Sequence, residues 1–370
     1  MRRKSGLIDV GAAEDNSGEA RLFTRDSGTH SMNAGGESLT SIIVVENLTK
    51  VYKGEKKAAV DSISFEIREG EVYGLLGPNG AGKTTTINML TTRLSSTSGT
   101  ATVAGHDIKK HSIDIRRMIG VVPQDLTADE DLSGLENLLM VASFYDVPKS
   151  IALERAGRLL AMVDLTDAAS KHVREYSGGM RKRLELIIGL INEPKVLFLD
   201  EPTLGLDVQT RSVMWNYIST LKNDFKMTII LTSHYLEEID ALADRVSIVD
   251  HGKIIITGSP AELKASLKGD IITLGFRDGG DSAAIQKFPG IIEVMPSDQG
   301  HLKIRVTNAD SDLPGLMNFI FKNGISISTL TVQKPSLDEV FLKYTGRSIR
   351  EEGPTDRFKT AMTMRRMRRT

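Results

Sequence analysis

Eight consecutive residues, Gly77-Pro78-Asn79-Gly80-Ala81-Gly82-Lys83-Thr84, carry the strongest chemical signal in this 370-residue chain. Its glycines let the backbone curl where a side chain would block it, so successive N–H groups can converge on one concavity and hold phosphate oxygens. An apolar run, Val72 to Leu76, precedes the loop, and a helical pattern starts near Lys83. The start of a helix adds partial positive charge to the same cradle. Lys83 is then placed to reach the β- and γ-phosphates as a point charge, and the Thr84 hydroxyl to ligate Mg²⁺, with Thr85 extending the set.

Such a cradle needs a carboxylate for the metal and a group that prepares water for attack. Val196-Leu197-Phe198-Leu199 is an apolar run, and Asp200 stands where it emerges from the core. That is the end at which open α/β sheets place their ligands, so Asp200 is read as the metal carboxylate. Glu201 follows at once, where it can hold the attacking water and accept its proton. The plainer reading, that both carboxylates cap the turn before Pro202, leaves the phosphate loop without its partner.

Ser177-Gly178-Gly179 opens a second helical pattern, from about Met180 to Leu190. A hydroxyl, bare backbone N–H groups and a helix start together make a second anion site. One nucleotide rarely needs two such sites from one chain.

These groups must be held by alternating elements. Ile42 to Val45 reads as a strand. Ile63, Phe65 and Ile67 alternate with polar residues, the period of a half-buried antiparallel strand. Met118 to Val122, Val196 to Leu199, Thr228 to Thr232 and Val246 to Val249 are short apolar runs separated by helical patterns, which predicts a mostly parallel sheet covered on both faces. From about Asp270 the rhythm changes to strands at Ile271 to Phe276, Ile291 to Met295, Leu302 to Val306 and Ile325 to Val332. One amphipathic helix lies among them, read as capped by Asp312 with Pro314 in its first turn and ended by Gly324. A short helix opens at Ser336, with Glu339 at capping-box spacing.

Composition narrows the class. A net charge of -1 gives no global pull toward nucleic acid, and the absence of cysteine excludes disulfide scaffolds, thiolate metal sites and a thiol nucleophile. No stretch approaches the roughly 18 to 20 apolar residues of a membrane span. The basic start, Met1-Arg2-Arg3-Lys4, is not followed by an apolar run, so a secretory leader is not expected.

Tyr176-Ser177-Gly178-Gly179-Met180 resembles the signature motif of ABC ATPases, whose usual form is Leu-Ser-Gly-Gly-Gln. The resemblance implies a P-loop NTPase domain of α/β class, with an antiparallel β subdomain and a helical signature subdomain. It also implies a head-to-tail dimer in which the signature of one copy faces ATP on the phosphate loop of the other. Tyr52 looks like the aromatic residue that stacks on adenine. Gln124 resembles the Q-loop glutamine, which senses the γ-phosphate, joins the metal site and faces the transporter's membrane part. Gly205-Leu206-Asp207 looks like the D-loop that crosses the dimer interface, and His234 resembles the switch histidine on the γ-phosphate. Tyr176 to Leu184, with Met180 for the usual glutamine, and Ser336 to Gly346 are similar to the ATPases of daunorubicin-resistance-type exporters. Relatives serving sodium, nodulation factors, copper maturation or polysaccharide share much of this pattern.

The expected organisation is a disordered extension over 1–40, the ATPase domain over 41–269, a small α+β accessory domain over 270–346, and a basic disordered tail over 347–370 ending in Arg365, Arg366, Arg368 and Arg369. The implied function is ATP hydrolysis, with ATP and Mg²⁺, driving export of a hydrophobic drug-like or lipid-like compound through separate permease subunits. The chain would sit on the cytoplasmic face of the membrane by way of that permease, with no nucleic-acid partner. Soluble ABC ATPases of ribosomes or DNA carry two motif sets or a long coiled coil, and this chain has one set and no sustained heptads. A non-catalytic regulatory subunit conflicts with intact Lys83, Asp200, Glu201 and His234.

Overall fold

The structure is a computed structural model that describes residues 31–32, 38–276, 282–295 and 301–347. The chain divides into two units, Met1–Thr40 and Ser41–Thr370. In the first, within the segment expected to lack structure, β1 (Ser31–Met32) pairs antiparallel with β2 (Ser38–Leu39). Residues 1–30 and 33–37 of the extension and the terminal arginine cluster lie outside the described residues.

The second unit opens with β3 (Ser41–Lys50), β4 (Val60–Arg68), β5 (Val72–Leu76), α1 (Lys83–Leu90), β6 (Ser98–Val103) and β7 (His106–Asp107). α2 (Ser112–Met118) leads into β8 (Ile119–Val122), and a helical run follows: α3 (Gly134–Phe144), α4 (Lys149–Met162) and α5 (Gly178–Ile188). Then come β9 (Val196–Asp200), α6 (Val208–Asn223), β10 (Thr228–Ser233), α7 (Leu236–Leu242), β11 (Arg245–Asp250), β12 (Lys253–Gly258) and α8 (Pro260–Ala265). The remaining elements are β13 (Asp270–Phe276), α9 (Ser282–Ile285), β14 (Ile291–Met295), β15 (His301–Val306), α10 (Ala309–Lys322), β16 (Ile327–Gln333) and α11 (Leu337–Thr345).

The central sheet has the order β12-β11-β5-β10-β9-β8. Five strands are parallel and β12 closes one edge antiparallel. Every residue of β5, β9 and β10 is buried, as a sheet covered on both faces requires. Because side chains alternate along a strand, each strand feeds two cores. Val72, Leu76, Leu197, Leu199, Ile229 and Leu231 face α6 and α7. Tyr73, Leu75, Phe198 and Ile230 face α1 and the antiparallel sheet, which has the order β4-β3-β6-β7. A third core joins α3, α4 and α5. Among the described residues no helix is long and apolar enough to cross a membrane.

The C-terminal sheet, order β14-β15-β13-β16, is antiparallel and packs one face on α10. Its helix begins a turn earlier than Asp312 and Pro314 suggest. Asn308 is the cap, its side chain accepting from Ser311 N, and Asp270 accepts from Ala309 N at 2.8 Å. These contacts hold the extra turn although Pro314, now inside the helix, lacks one intrahelical donor. Asn323 is the C-cap, and Gly324 follows it with φ 67°, ending the helix as expected.

α11 departs from the expected partition. Its apolar stripe, Leu337, Val340 and Phe341, is buried in the ATPase core with Val246, Ile248, Leu263 and Leu267, not in the C-terminal sheet. Phe341→Ala should therefore cost the ATPase domain about 3 to 5 kcal/mol, the usual range for emptying a buried aromatic site. Thermal unfolding followed by ATP-dependent protection would read it. A variant that melts like the parent would place α11 outside that core.

Candidate nucleotide site

β5 delivers the phosphate loop and α1 leaves it. Gly82 caps α1 with φ 105°, a left-handed conformation, and a Cβ there would stand 2.5 Å from the Ala59 carbonyl. Asn79 and Gly80 are exposed while Gly77 and Pro78 are buried, so the loop lies open on one side. Lys83 folds back into it: its Nζ donates to the carbonyls of Gly77 at 2.7 Å and Pro78 at 3.2 Å.

β9 brings Asp200 and Glu201 against this loop. Asp200 Oδ1 accepts from Thr84 Oγ1 at 3.1 Å and from Thr232 Oγ1 at 2.6 Å. Burial pushes the Asp200 carboxyl upward, against the hydrogen bonds from Thr232 and Thr84. The donor set fits a hard divalent ion, since it is all oxygen. Among the described residues no group of three or more His, Cys, Asp or Glu is gathered, and Mg²⁺, which keeps waters and shares phosphate oxygens, needs only one or two protein oxygens.

Glu201 has φ 51°, left-handed for a non-glycine residue, and its N–H donates to Thr232 Oγ1 at 3.0 Å. That turn puts its carboxylate between two cationic partners. Oε1 is 3.3 Å from Lys83 Nζ, and Oε2 is 3.2 Å from His234 Nδ1, in ion-pair range though off a hydrogen-bond axis. Burial alone would raise its pKa, but the His234 imidazole and the Lys83 ammonium together hold it below the ordinary glutamate value. A carboxylate kept ionised beside the phosphate loop is what a general base requires.

The other expected residues divide. Tyr52 is half exposed and its hydroxyl lies 3.3 Å from Thr85 Oγ1, at the loop's edge, with Lys50 over its ring. Ser177 caps α5, its Oγ accepting from Met180 N at 3.2 Å, so this helix starts two residues before Met180 and ends at Ile188. Ser177 and Gly178 are exposed, and a Cβ on Gly178 would meet nothing within 4 Å. A Cβ on Gly179 would press on Thr210 Cγ2 at 2.8 Å, so the signature helix and α6 touch. Asp207 caps α6 through Thr210 N at 2.9 Å, which lowers its pKa. Gln124 is not drawn into the Asp200–Glu201 cluster. Its side chain is exposed, and its carbonyl accepts from Lys182 Nζ on α5 at 3.0 Å.

An ABC transporter family model matches residues 60–204, and the C-terminal domain model of DrrA1-3-like ATP-binding proteins matches residues 258–345. A daunorubicin resistance ATP-binding protein, DrrA3, from Streptomyces coeruleorubidus is 41% identical over 82% of this chain and 96% of its own length. The chain belongs to the DrrA-like ABC transporter ATP-binding proteins. A linearmycin resistance ATP-binding protein, LnrL, from Bacillus subtilis is 36% identical over 84% of this chain and its own full length. The bacterial ABC transporter cassette MJ0796, solved as a dimer, superposes with a TM-score of 0.54 at 25% identity, over 59% of this chain and 98% of the cassette. As an ABC ATPase of this family, the chain binds and hydrolyses ATP as the motor subunit of a transporter.

Sequence reasoning missed several residues of this DrrA-like site. Thr232 holds both Asp200 and Glu201, yet nothing in its own neighbourhood singles it out. Glu185, almost fully buried on α5, accepts from Thr127 N at 2.6 Å and Ala128 N at 2.7 Å, and with Lys182 ties the segment after Gln124 to the signature helix. Its signal was available: a glutamate on the apolar side of an amphipathic helix needs buried donors.

Proposed function

We propose that the chain powers export of a hydrophobic drug-like or lipid-like compound through separate permease subunits, working as a head-to-tail dimer. One observation carries the assembly: this chain builds two anion-type sites. One is the loop Gly77 to Thr85 beside Asp200, Glu201 and His234. The other is Ser177 to Gly179, where Ser177 and Gly178 are exposed and a Cβ on Gly178 would meet open space. ATP held between the loop of one copy and the signature of another uses both, and the dimeric form of the MJ0796 cassette supports that arrangement. The export direction is supported by the drug-resistance names of the DrrA and LnrL relatives.

In this reading the backbone N–H groups of Gly80 to Thr84 and the Lys83 ammonium bind the phosphates. Tyr52 offers its ring to the base. Mg²⁺, held by the Thr84 hydroxyl and the Asp200 carboxylate, would supply positive charge to the phosphate oxygens. Glu201 orients the water and takes its proton. His234 keeps the Glu201 carboxylate aimed, and Asp207 holds the start of α6 at the dimer face. Movement passes from Gln124 through Lys182 and Glu185 into the signature helix, whose neighbours Leu126 and Phe144 are exposed for a membrane partner.

The location follows: the cytoplasmic face of the membrane, reached through the permease. Expressed alone, the chain should remain in the high-speed supernatant. Co-expressed with its permease subunits, it should sediment with membranes and stay there after a salt wash. Deleting 348–370 should not change this. Retention on permease-free membranes, lost on truncation or in salt, would replace the permease account with direct lipid binding, because exposed charge attraction is screened within about 8 to 10 Å.

A further inference from the structure

The last helix among the described residues reaches the phosphate loop through one turn. α11 is sunk in the ATPase core beside β11, and Lys343 Nζ fixes it further by donating to the Ser266 carbonyl at 3.1 Å. Just past its end, Arg347 Nη2 donates to Asp250 Oδ1 at 2.6 Å and lies 3.3 Å from His251 Nε2. Asp250 is the buried last residue of β11. His251 and Gly252 make the turn to β12 with φ values of 46° and 81°, and the first is unfavourable for a side chain with a Cβ. Lys57 Nζ meets the other face of His251 at 3.3 Å.

The opposite side of this turn is the back of the phosphate loop. Gly252 N donates to the Ala81 carbonyl at 3.0 Å, and the Gly252 carbonyl accepts from Asp61 N at 2.8 Å. A Cβ on Gly77 would collide with the Val249 carbonyl, so the end of β11 and the first residue of the loop touch backbone to backbone. In a trans peptide the C=O and the following N–H point in opposite directions. Anchoring the Ala81 oxygen on Gly252 therefore turns the Gly82 N–H away from the turn and into the loop.

We infer that Arg347 and Asp250 are positioning residues for nucleotide binding, through which the C-terminal domain sets the shape of the phosphate loop. The guanidinium neutralises a buried carboxylate at the base of a strained turn, and the turn orients a loop amide. Any movement of α11 relative to β11 then reaches the nucleotide without touching it. This rests on Gly77 to Thr84 being the phosphate cradle.

The experiment measures binding of a fluorescent ATP analogue, with KM and kcat for ATP, in the full chain. Arg347→Ala should raise Kd and KM about five- to tenfold and leave kcat within twofold. Arg347→Lys, which keeps the charge, should recover most of the affinity, and Asp250→Asn should reproduce the loss. Purely structural damage would lower the active fraction, and so kcat per chain, without moving KM. Parent-like affinity in a folded Arg347→Ala overturns the inference, provided Lys83→Ala loses binding in the same assay. If Lys83→Ala binds as the parent does, the cradle assignment itself fails.

Discussion

Glu201→Gln should bind ATP with near-parent affinity and hydrolyse it about 10²- to 10⁴-fold more slowly, the usual contribution of a general base. At about 1.36 kcal/mol per decade this is roughly 3 to 5 kcal/mol of barrier. The substitution keeps shape, so the buried pocket between Lys83 and His234 is filled as before. Lys83 keeps its grip on the Gly77 and Pro78 carbonyls and stays in the loop to meet phosphate. What disappears is the proton acceptor. The parent carboxylate is ionised at neutral pH because its pKa is held below the ordinary 4.5. The sign follows: its role as a base is complete above that value and is lost as pH falls through the lower folded-state value. Slow turnover should also preserve the ATP-bound assembly. Light scattering of the variant with ATP should move the mass from 40.5 kDa toward double that value. Turnover within twofold of the parent would remove Glu201 from the chemistry.

Much of this site was legible because phosphate chemistry restricts the backbone itself. Gly82 must accept φ 105° and stand against the Ala59 carbonyl, and such demands leave glycines at fixed spacing. Likewise the buried run ending in Asp200 announces both its strand and its functional end. The groups that escaped act through pairs distant in sequence. Thr232 is one of three polar residues in its strand, with Thr228 and Ser233, and only the fold shows that it braces the two carboxylates. Gln124 sits just past β8 as its motif implies, but a strand end fixes the backbone and not the side chain. In the C-terminal domain the stripe Leu337, Val340, Phe341 declares an apolar face without saying which core takes it. Proximity in sequence favoured the nearby sheet, and the ATPase core won it. Pro314 misled for a related reason: proline favours a first turn, but Asn308 and Asp270 together secure a turn before it. Arg347, grouped by composition with the basic tail, is held by Asp250.

Gly178→Asp should leave the subunit folded and able to bind ATP, yet abolish measurable turnover. The fold has no use for a glycine here. A Cβ at Gly178 meets nothing within 4 Å, and the residue is exposed in the first turn of α5. An aspartate at that point is locally favourable, worth about 0.3 to 1 kcal/mol against the positive end of the helix. Neither strain nor instability can therefore explain a loss of activity. Within the subunit nothing calls for a bare backbone here, and in the proposed dimer the reason is the γ-phosphate on the partner's loop. A carboxylate set against that phosphate at about 4 Å is disfavoured by roughly 4 kcal/mol at an effective dielectric constant near 20, close to a thousandfold in the assembly constant. Binding of ATP to a single subunit uses its own Gly77 to Thr85 and should be unaffected. ATP-driven dimerisation of a Gly178→Asp, Glu201→Gln double variant should disappear with it. Gly178→Ala, which adds bulk without charge, should fall between. ATPase activity equal to the parent's in Gly178→Asp would show that Ser177 to Gly179 faces no nucleotide, and that the second anion site of this chain serves something else.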